Sequence, residues 1–523
     1  MWIHVSVPAM AKIHDIEQQI EKRLSEEKGT IYKVAPHRVA LLYPSPYRIG
    51  MSSLGFQSLY RALNETDSVV CERAFLPDDT DAFRATRKPL FTYESKSYIS
   101  EFDVIGVSLS YELEVLGLIE TMELAGIPCR ASDRVGRNLP LILIGGPITF
   151  ANPLPIAPFA DVMILGEADE LIHIVCSMWF TAKDRKSFYE NVATLPGVYV
   201  PHIHGETLVP IAQSRDDLLP AYSVITTPNT ELSNMHLVEN ARGCHRGCTF
   251  CVMRRTTNGG MRTFEPTKIL STIPDHATRV GLVGAATMDH PKIKEIVRSI
   301  VDSGREIGLS SLRADRLDDE FVALLAKGGA RTLTVASDGA SERMRKLAKK
   351  HIKEKHLIKA AHLVADHGLK QLKLYMVFGY PDESEDDIRE MIDFVGELST
   401  ICKVALGMSP LVAKKRTPLD GSPFENKKSL EKKIRLVHQG LGKGVDIRST
   451  SIRWAWVEYQ ISQGGWDMAD VAEDVYANGG GFAAWKRAIK KYKKTVLKTV
   501  RPIDERIRPG ALMRDFDIGD LLN

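Results

Sequence analysis

Short apolar runs alternate with amphipathic segments in the first part of the chain, between residues 38 and 185. Each run is hydrophobic at successive positions, which predicts strands buried on both faces of a parallel sheet. The amphipathic segments between them predict the helices that cover such a sheet. We therefore expect a doubly wound α/β domain. Its four predicted strands are residues 39–43, 104–109, 141–147 and 162–167.

A second series of apolar runs begins at His236 and has a different period. Helical stretches such as residues 292–303 and 318–327 separate the runs. Six β-α units joined by right-handed crossovers predict a partial (β/α)6 barrel, with its active site at the carboxyl ends of the strands. The six predicted strands are residues 237–238, 280–283, 307–309, 333–335, 372–378 and 404–407.

The flanking segments complete a five-part organisation. An amphipathic helix is expected over residues 11–27, and repeated prolines between residues 186 and 235 predict a connector of short strands and turns. Beyond residue 445, aromatic residues near glycines predict a small α-rich extension, in which a basic run at 486–498 forms a solvated face or meets a reductase or acidic substrate. The predicted parts are residues 1–32, 33–185, 186–235, 236–445 and 446–523.

Composition changes this picture little. The net charge of +3 is small for 523 residues, so no nucleic-acid partner is indicated. The N-terminus lacks a basic region followed by an apolar core, and no apolar stretch approaches a membrane span, so a cytoplasmic location is predicted. Four cysteines are scattered singly and are expected to stay reduced. They are Cys71, Cys129, Cys176 and Cys402.

The other three cysteines form the most informative motif, C-x-x-x-C-x-x-C, at Cys244, Cys248 and Cys251. The spacing suits a tight loop, and the loop follows the first strand of the second series. Thiolates are soft donors that select iron–sulfur clusters, zinc or monovalent copper. Because four thiolates usually close a [4Fe–4S] cluster, three leave one iron open to a substrate or cofactor.

Zinc is the main alternative ligand for this motif. The three cysteines and His245 can make a Cys₃His set, but zinc sites usually pair C-x-x-C with a distant second pair. No second pair occurs in the sequence. The motif therefore favours iron–sulfur over zinc or buried structural thiols.

The cysteine motif, with Phe250 immediately before its last cysteine, resembles the signature of the radical S-adenosylmethionine (radical SAM) superfamily. The resemblance implies that the open iron chelates the amino and carboxylate groups of S-adenosylmethionine (SAM). Electron transfer from the cluster then breaks the sulfonium bond and gives a 5′-deoxyadenosyl radical. A low-potential donor of the flavodoxin or ferredoxin type is implied as the electron source.

The resemblance continues at the ends of the following strands. Segment 284–287 stands where the family has a glycine-rich turn, and segment 310–315 resembles its S-L-R segment. Arg313 can pair with the methionine carboxylate, or instead with Asp315 or Asp318. The segment from 336 resembles the turn that contacts ribose, although Ser341 is also a plausible helix start. The resemblance implies SAM contacts at Phe250, Gly284, Ser310, Arg313, Ser337, Asp338 and Gly379.

The first domain resembles the Rossmann-type cobalamin-binding domain that precedes many radical SAM modules. The double glycine of Gly145 and Gly146 is expected to let the nucleotide tail of cobalamin approach the backbone. The D-x-H-x-x-G segment that supplies a lower axial histidine to cobalt does not occur, so any bound cobalamin is expected to lack that ligand. The alternative is a vestigial domain without cobalamin. The predicted cobalamin contacts are Ser108, Gly145, Gly146 and Gly166.

These resemblances imply an enzyme that generates a substrate radical, with methyl transfer or a carbon-skeleton or ring-forming reaction if cobalamin is bound. The expected substrate is a small or lipid-like molecule. Alternatives are a radical SAM enzyme with an empty Rossmann-like domain and a non-catalytic iron–sulfur or zinc protein. A transfer-RNA methylthiotransferase would carry a further three-cysteine cluster and an RNA-binding domain, and neither is visible.

Overall fold

The computed structural model describes residues 9–256 and 260–492. These residues belong to two compact units, of which the first contains the chain up to Asn234 together with the chain from Gly464, and the second is Met235–Gln463. The ends of the predicted parts 1–32 and 446–523, and the end of the basic run 486–498, lie outside the described residues.

A six-stranded sheet forms the centre of the first unit, in the order β2-β1-β3-β4-β5-β6. The first five strands are parallel and β6 is antiparallel to β5. Successive residues of β2 and β3 are all buried, so both faces are covered, as the doubly wound prediction requires. The strands are β1 His37–Tyr43, β2 Val69–Phe75, β3 Val104–Ser108, β4 Leu141–Gly145, β5 Val162–Ile164 and β6 Val198–Tyr199.

The four predicted strands of this sheet are confirmed, but β2 and β6 were missed. Glu72 and Arg73 interrupt the apolar run of β2, and β6 has only two residues. The helices around the sheet include two that lie late in the chain. They are Ala9–Ser25, Tyr47–Gly50, Leu54–Glu65, Thr80–Ala85, Val115–Leu124, Ile148–Ala151, Leu171–Phe180, Arg185–Val192, Pro201–His204, Met468–Ala477 and Phe482–Lys491.

Arg73 on β2 is a fully buried cation that holds two carboxylates. Its Nη1 and Nη2 donate to Glu27 at 2.8 Å each, and its Nε donates to Glu94 at 2.6 Å. Burial works to raise the pKa of Glu27, but the charge and hydrogen bonds of Arg73 outweigh it and lower that pKa. At Glu94 burial prevails and the pKa is raised. The network joins the sheet to the chain that follows the first helix.

Replacing Arg73 with Leu should destabilise the protein by about 3–5 kcal/mol at neutral pH, because two buried carboxylates lose their cation. The deficit should shrink between about pH 6 and pH 4, as those carboxylates take up protons. Urea unfolding followed by circular dichroism measures both effects. The control is Arg48→Ala, since the pair of Arg48 with Glu231 is exposed and its loss should cost about 1 kcal/mol or less. Equal effects of the two substitutions would contradict the prediction.

Seven parallel strands and one antiparallel hairpin make up the sheets of the second unit. The parallel strands form the groups β11-β10-β7 and β12-β13-β14-β15, which a bridge between Leu312 and Val335 joins. The hairpin pairs β8 with β9. The strands are β7 Met235–Glu239, β8 Ala241–Gly243, β9 Met261–Thr263, β10 Arg279–Val283, β11 Glu306–Leu309, β12 Thr332–Ala336, β13 Gln371–Phe378, β14 Val404–Pro410 and β15 Asp446–Ser449.

All six predicted strands of the second series are confirmed, and β15 is an addition. The sequence of β15 is largely polar, so it lacks the apolar pattern of a buried strand. The predicted helices 292–303 and 318–327 correspond to Ile293–Asp302 and Asp319–Lys327. The other helices are Met253–Thr256, Pro266–Leu270, Glu342–Leu347, Glu354–Asp366, Glu385–Ile401, Lys427–Leu441 and Ile452–Gln463. Within the described residues, no helix has the length and apolar character needed to cross a membrane.

Candidate active site

The cysteine loop, residues 244–251, follows β8 and is anchored through Thr249. The Thr249 backbone N–H donates to the Ala348 carbonyl at 3.1 Å, and its hydroxyl donates to the Leu347 carbonyl at 3.2 Å. The Thr249 carbonyl accepts from the Leu419 N–H at 3.3 Å. The loop is therefore tied to the segment that follows β12 and to the segment that follows β14.

A second anchor is the ion pair between Arg246, inside the motif, and Asp289, in the turn after β10. The Arg246 Nε and Nη2 atoms donate to the two Asp289 oxygens at 2.9 and 2.6 Å. The Asp289 side chain is 2% exposed. Burial would raise the pKa of Asp289, but the hydrogen bonds and charge of Arg246 hold it below its usual value. A bidentate pair of this kind fixes the direction of the loop as well as its position.

The three cysteine side chains are half-buried on this loop. The Cys244 sulfur accepts from the Arg246 N–H at 3.4 Å, and the Cys248 sulfur lies 4.0 Å from the Lys349 carbonyl oxygen. Burial, together with the neighbouring cysteines, raises the pKa of Cys248 and Cys251. A metal must therefore displace the thiol protons when it binds.

The donor chemistry of the loop fits a [4Fe–4S] cluster that keeps one iron free. Within the described part of the chain, no three His, Cys, Asp or Glu side chains already form a metal-binding group. The loop offers three soft donors on an anchored backbone, and a peptide N–H points at one of the sulfurs. Cluster ligation by Cys244, Cys248 and Cys251 stays a prediction that this arrangement supports.

Phe250 packs into an apolar cluster beside the loop. Its ring lies edge-on to that of Tyr380, with the centroids 6.5 Å apart, in a cluster that includes Met344 and Leu411. The Tyr380 hydroxyl donates to the Asp338 carbonyl at 2.8 Å. The contacts of Phe250 are thus with the core, and its predicted contact with SAM stays a prediction.

Gly284, at the end of β10, is required by close packing against the start of the hairpin. A Cβ at this position would lie 2.7 Å from the Asn240 side-chain oxygen and 3.0 Å from the Ala241 carbonyl. Asn240 is fully buried, and its side chain accepts from the Thr287 hydroxyl at 3.2 Å. The glycine therefore lets the turn after β10 lie against the residues that lead into the cysteine loop.

Arg313 forms one of the two ion pairs that the sequence left open as an alternative. Its Nε and Nη2 donate to the two oxygens of Asp315 at 3.0 Å each, and Nη2 also donates to the Lys350 carbonyl at 3.1 Å. Asp318 instead caps the helix that begins at Asp319. Ser310 is exposed just after β11. Pairing of Arg313 with the SAM carboxylate stays a prediction.

The predicted ribose turn brings Asp338 next to Lys350. The Lys350 amine lies 2.5 Å from the Asp338 carboxylate, and Asp338 has a left-handed backbone with φ +51°. Ser337 is fully buried and its hydroxyl donates to the Gly339 carbonyl at 3.1 Å. Of the two candidates for the ribose, Asp338 is thus the one with a charged group held in a bend.

Gly379 has φ +86° in the turn after β13, where a Cβ would also lie 2.9 Å from Leu430. Its N–H donates to the buried Glu383 carboxylate at 2.6 Å. Sequence reasoning missed Arg246, Asp289 and Lys350 as positioning residues. The position of Arg246 inside the motif was the one available signal, because the partners of all three come from other strand ends.

In the first unit, the glycines predicted to contact cobalamin differ in what surrounds them. Gly146 has φ +103° and its Cβ would lie 2.4 Å from the Leu109 carbonyl; Gly166 has φ +115° and its Cβ would lie 2.5 Å from the Ala212 carbonyl. Both are therefore required by the fold itself. At Gly145 a Cβ would meet nothing closer than 3.9 Å. Only Gly145 has the open space that was expected of the double glycine.

The strand order places the topological switch point between β1 and β3, where sheets of this kind bind ligands. The Tyr43 hydroxyl lies 2.6 Å from that of Ser110, and Glu114 accepts from the Ser110 N–H at 2.6 Å. Burial and the Glu114 charge raise the pKa of Tyr43 to about 12. Ser108, the last residue of β3, is buried beside Gly145.

The described histidines of the first unit lie away from this edge. His37 begins β1 at the opposite edge of the sheet, and the others are on helices. They are His14, His173, His202 and His204. The residues at the carboxyl edge thus fit a cofactor tail at Gly145 and offer no imidazole as a lower cobalt ligand.

Two family models match the chain. The model of radical SAM proteins, N-terminal, matches residues 55–201, and the model of the radical SAM superfamily matches residues 239–395. Together they span more than half of the chain, which belongs to the radical SAM superfamily. Its cofactors are accordingly the [4Fe–4S] cluster and SAM of that superfamily, as the cysteine motif predicted.

Two curated relatives are similar to the chain. An uncharacterised protein of Methanocaldococcus jannaschii, MJ0966, is 27% identical over 422 residues, which are 77% of this chain and 83% of the relative. An uncharacterised methyltransferase of Pyrococcus horikoshii, PH0819, is 20% identical over 317 residues, which are 57% of this chain and 67% of the relative.

Two solved structures share the fold. The radical SAM methyltransferase TsrM of Kitasatospora setae has a TM-score of 0.53 at 12% identity, covering 88% of this chain and 99% of TsrM. The cobalamin-dependent radical SAM enzyme OxsB, with aqua-cobalamin and SAM bound, has a TM-score of 0.52 at 15% identity, covering 78% of this chain and 56% of OxsB. These likenesses confirm the predicted fold class.

Replacing Gly284 with Ala should displace Asn240 and loosen the approach to the cysteine loop, at a cost of about 1–3 kcal/mol, which is typical of overpacking. Thermal unfolding temperature and the iron bound per chain after anaerobic reconstitution should both decrease. Ala285→Ser, at the exposed neighbouring position, is the matched control and should change neither quantity. Normal iron content and stability in Gly284→Ala would show that the contact is unimportant.

Proposed function

We propose that this chain is a radical SAM methyltransferase that holds its cluster through Cys244, Cys248 and Cys251 and holds cobalamin beside Gly145. The observation that carries the proposal is the anchored cysteine loop: Arg246 and Thr249 fix a three-thiol loop whose set of protein ligands is incomplete. The name of the Pyrococcus horikoshii relative and those of TsrM and OxsB support methyl transfer and cobalamin as parts of the proposal.

The chain's own residues supply binding and orientation. Bound to the loop, the cluster supplies the electron that breaks the sulfonium bond of SAM. Arg313, with Asp315 as its partner, presents a guanidinium to the carboxylate of SAM. Asp338 presents a carboxylate to the ribose hydroxyls, and the turn at Gly379 presents backbone to adenine. No described residue has the position of a general base, so the protein's task is to hold its cofactors and exclude competing reactions.

The open space at Gly145 supports cobalamin at the carboxyl edge of the first sheet. The same edge offers a serine and tyrosine network but no histidine, so the lower face of cobalt receives no imidazole from the described residues of this unit. We propose a small or lipid-like substrate and a low-potential protein reductant. A radical SAM reaction without cobalamin is the competing proposal, and the tight Tyr43–Ser110–Glu114 network favours it.

Cys248→Ala should abolish both cluster binding and 5′-deoxyadenosine release, because two thiolates cannot hold the cluster. Absorption near 400 nm after anaerobic reconstitution and chromatography of the products after dithionite reduction measure the two properties. Cys402→Ala is the matched control, since Cys402 is also half-buried in the second unit and stands outside the loop. Cleavage retained in Cys248→Ala would exclude this loop as the cluster site, and stoichiometric zinc without cleavage would contradict the proposed enzyme.

Gly145→Val should abolish retention of a corrinoid while leaving the protein folded, because the new side chain enters space that the fold leaves open. The corrinoid spectrum of protein purified with cobalamin and passed through a desalting column is the measurement. Gly55→Val is the control, since a Cβ at Gly55 would also meet open space, with no atom within 4 Å. A wild-type protein that retains no corrinoid would favour the cobalamin-free alternative.

A further inference from the structure

A strongly basic stretch, residues 342–355, lies between β12 and the helix Glu354–Asp366. We call it the basic segment. Its fourteen residues contain seven Lys or Arg and two Glu, so its net positive charge exceeds the +3 of the whole chain. It contains the helix Glu342–Leu347 and the loop that follows.

The basic segment is joined to the cysteine loop through its backbone. Three successive carbonyls, those of Leu347, Ala348 and Lys349, contact the Thr249 hydroxyl, the Thr249 N–H and the Cys248 sulfur. These contacts bring the exposed Lys349 against a predicted cluster ligand.

Part of the segment's charge is neutralised by partners within the second unit. Four of its basic residues pair with carboxylates, whereas Lys349, Lys353 and Lys355 are exposed and make no salt bridge with any residue that the structure describes. The four pairs are Arg343–Asp387, Arg345–Glu354, Lys346–Glu342 and Lys350–Asp338.

Lys349 occupies a backbone position that normally favours glycine. It has φ +51° immediately after the end of a helix, where the Lys350 N–H donates to the Arg345 carbonyl at 3.0 Å and the Lys349 N–H donates to the Lys346 carbonyl at 3.0 Å. This is the Schellman pattern, whose left-handed residue is usually glycine because a Cβ is strained there. The local backbone therefore gives no reason for a lysine at 349.

We propose that the basic segment is the docking surface for the reductant, a small acidic one-electron carrier protein of the flavodoxin or ferredoxin class. The proposal rests on the proposed function, because the surface has a use only if a cluster occupies the cysteine loop. One electron leaves the reduced carrier and enters the oxidised cluster, and no bond or proton changes place. Charge complementarity steers the two proteins together, and the Lys349–Cys248 contact makes the path short.

The other basic surface in the described chain, on the helix Phe482–Lys491, belongs to the first unit. It carries exposed Lys486, Arg487 and Lys490, but it does not contain the cysteine loop. Attachment to a predicted cluster ligand is therefore the property that distinguishes the basic segment. An RNA partner would also be attracted by these lysines, but it gives no reason for their attachment to Cys248.

The test uses the full-length protein and a bacterial flavodoxin, with affinity measured by fluorescence anisotropy of the labelled flavodoxin. The double substitution Lys353→Glu with Lys355→Glu should weaken binding about tenfold or more and flatten its dependence on salt. Lys349→Gly should weaken binding without lowering the thermal unfolding temperature, because glycine suits the left-handed backbone. The control reverses the charges of Lys486, Arg487 and Lys490 and should leave the affinity unchanged.

A second readout is 5′-deoxyadenosine release driven either by reduced flavodoxin or by dithionite. The Lys353→Glu, Lys355→Glu protein should lose the flavodoxin-driven reaction and keep the dithionite-driven one. Unchanged flavodoxin affinity in that protein, loss of affinity in the control, or loss of transfer-RNA binding with flavodoxin binding intact would overturn the proposal. If dithionite drives no cleavage even in the wild type while the affinities change as expected, the docking surface stands and the proposed function fails.

Discussion

The cysteine loop depends on hydrogen bonds from segments distant in sequence, because it has no regular secondary structure of its own. Thr249 binds the backbone after β12 and β14, and Arg246 binds Asp289 after β10. Three separate strand ends must therefore be in place before the three thiols are. The second unit thus acts as a frame for its least regular part, as expected where functional residues lie on loops held by a rigid scaffold.

Lys350 extends this dependence to the predicted SAM contacts. Its carbonyl accepts from Arg313 and its amine binds Asp338, so one residue holds the groups proposed for the SAM carboxylate and for the ribose. Both groups already have counter-charges in the protein. Binding of SAM then exchanges one set of charge partners for another, which costs less reorganisation than ordering free side chains.

The alternation of apolar runs was sufficient to predict the order of most strands in both units. It failed where burial is achieved by paired charges, as at Arg73 in β2, and where a strand is short or polar, as in β6 and β15. The cysteine motif was readable because its ligands are close in sequence. Asp289 and Lys350 were not, because they act through partners that only the folded chain brings near.

The glycines of the first unit show why a motif match alone is weak support for a bound cofactor. Gly146 and Gly166 have left-handed backbones against neighbouring carbonyls, so the fold needs glycine there whether or not a ligand is present. A vestigial domain would need them equally. Gly145 has a normal backbone and open space beside it, so the fold gives no reason against a side chain. A close approach by a ligand is a reason that remains, and Gly145 is therefore the position at which the cobalamin-binding and vestigial interpretations differ.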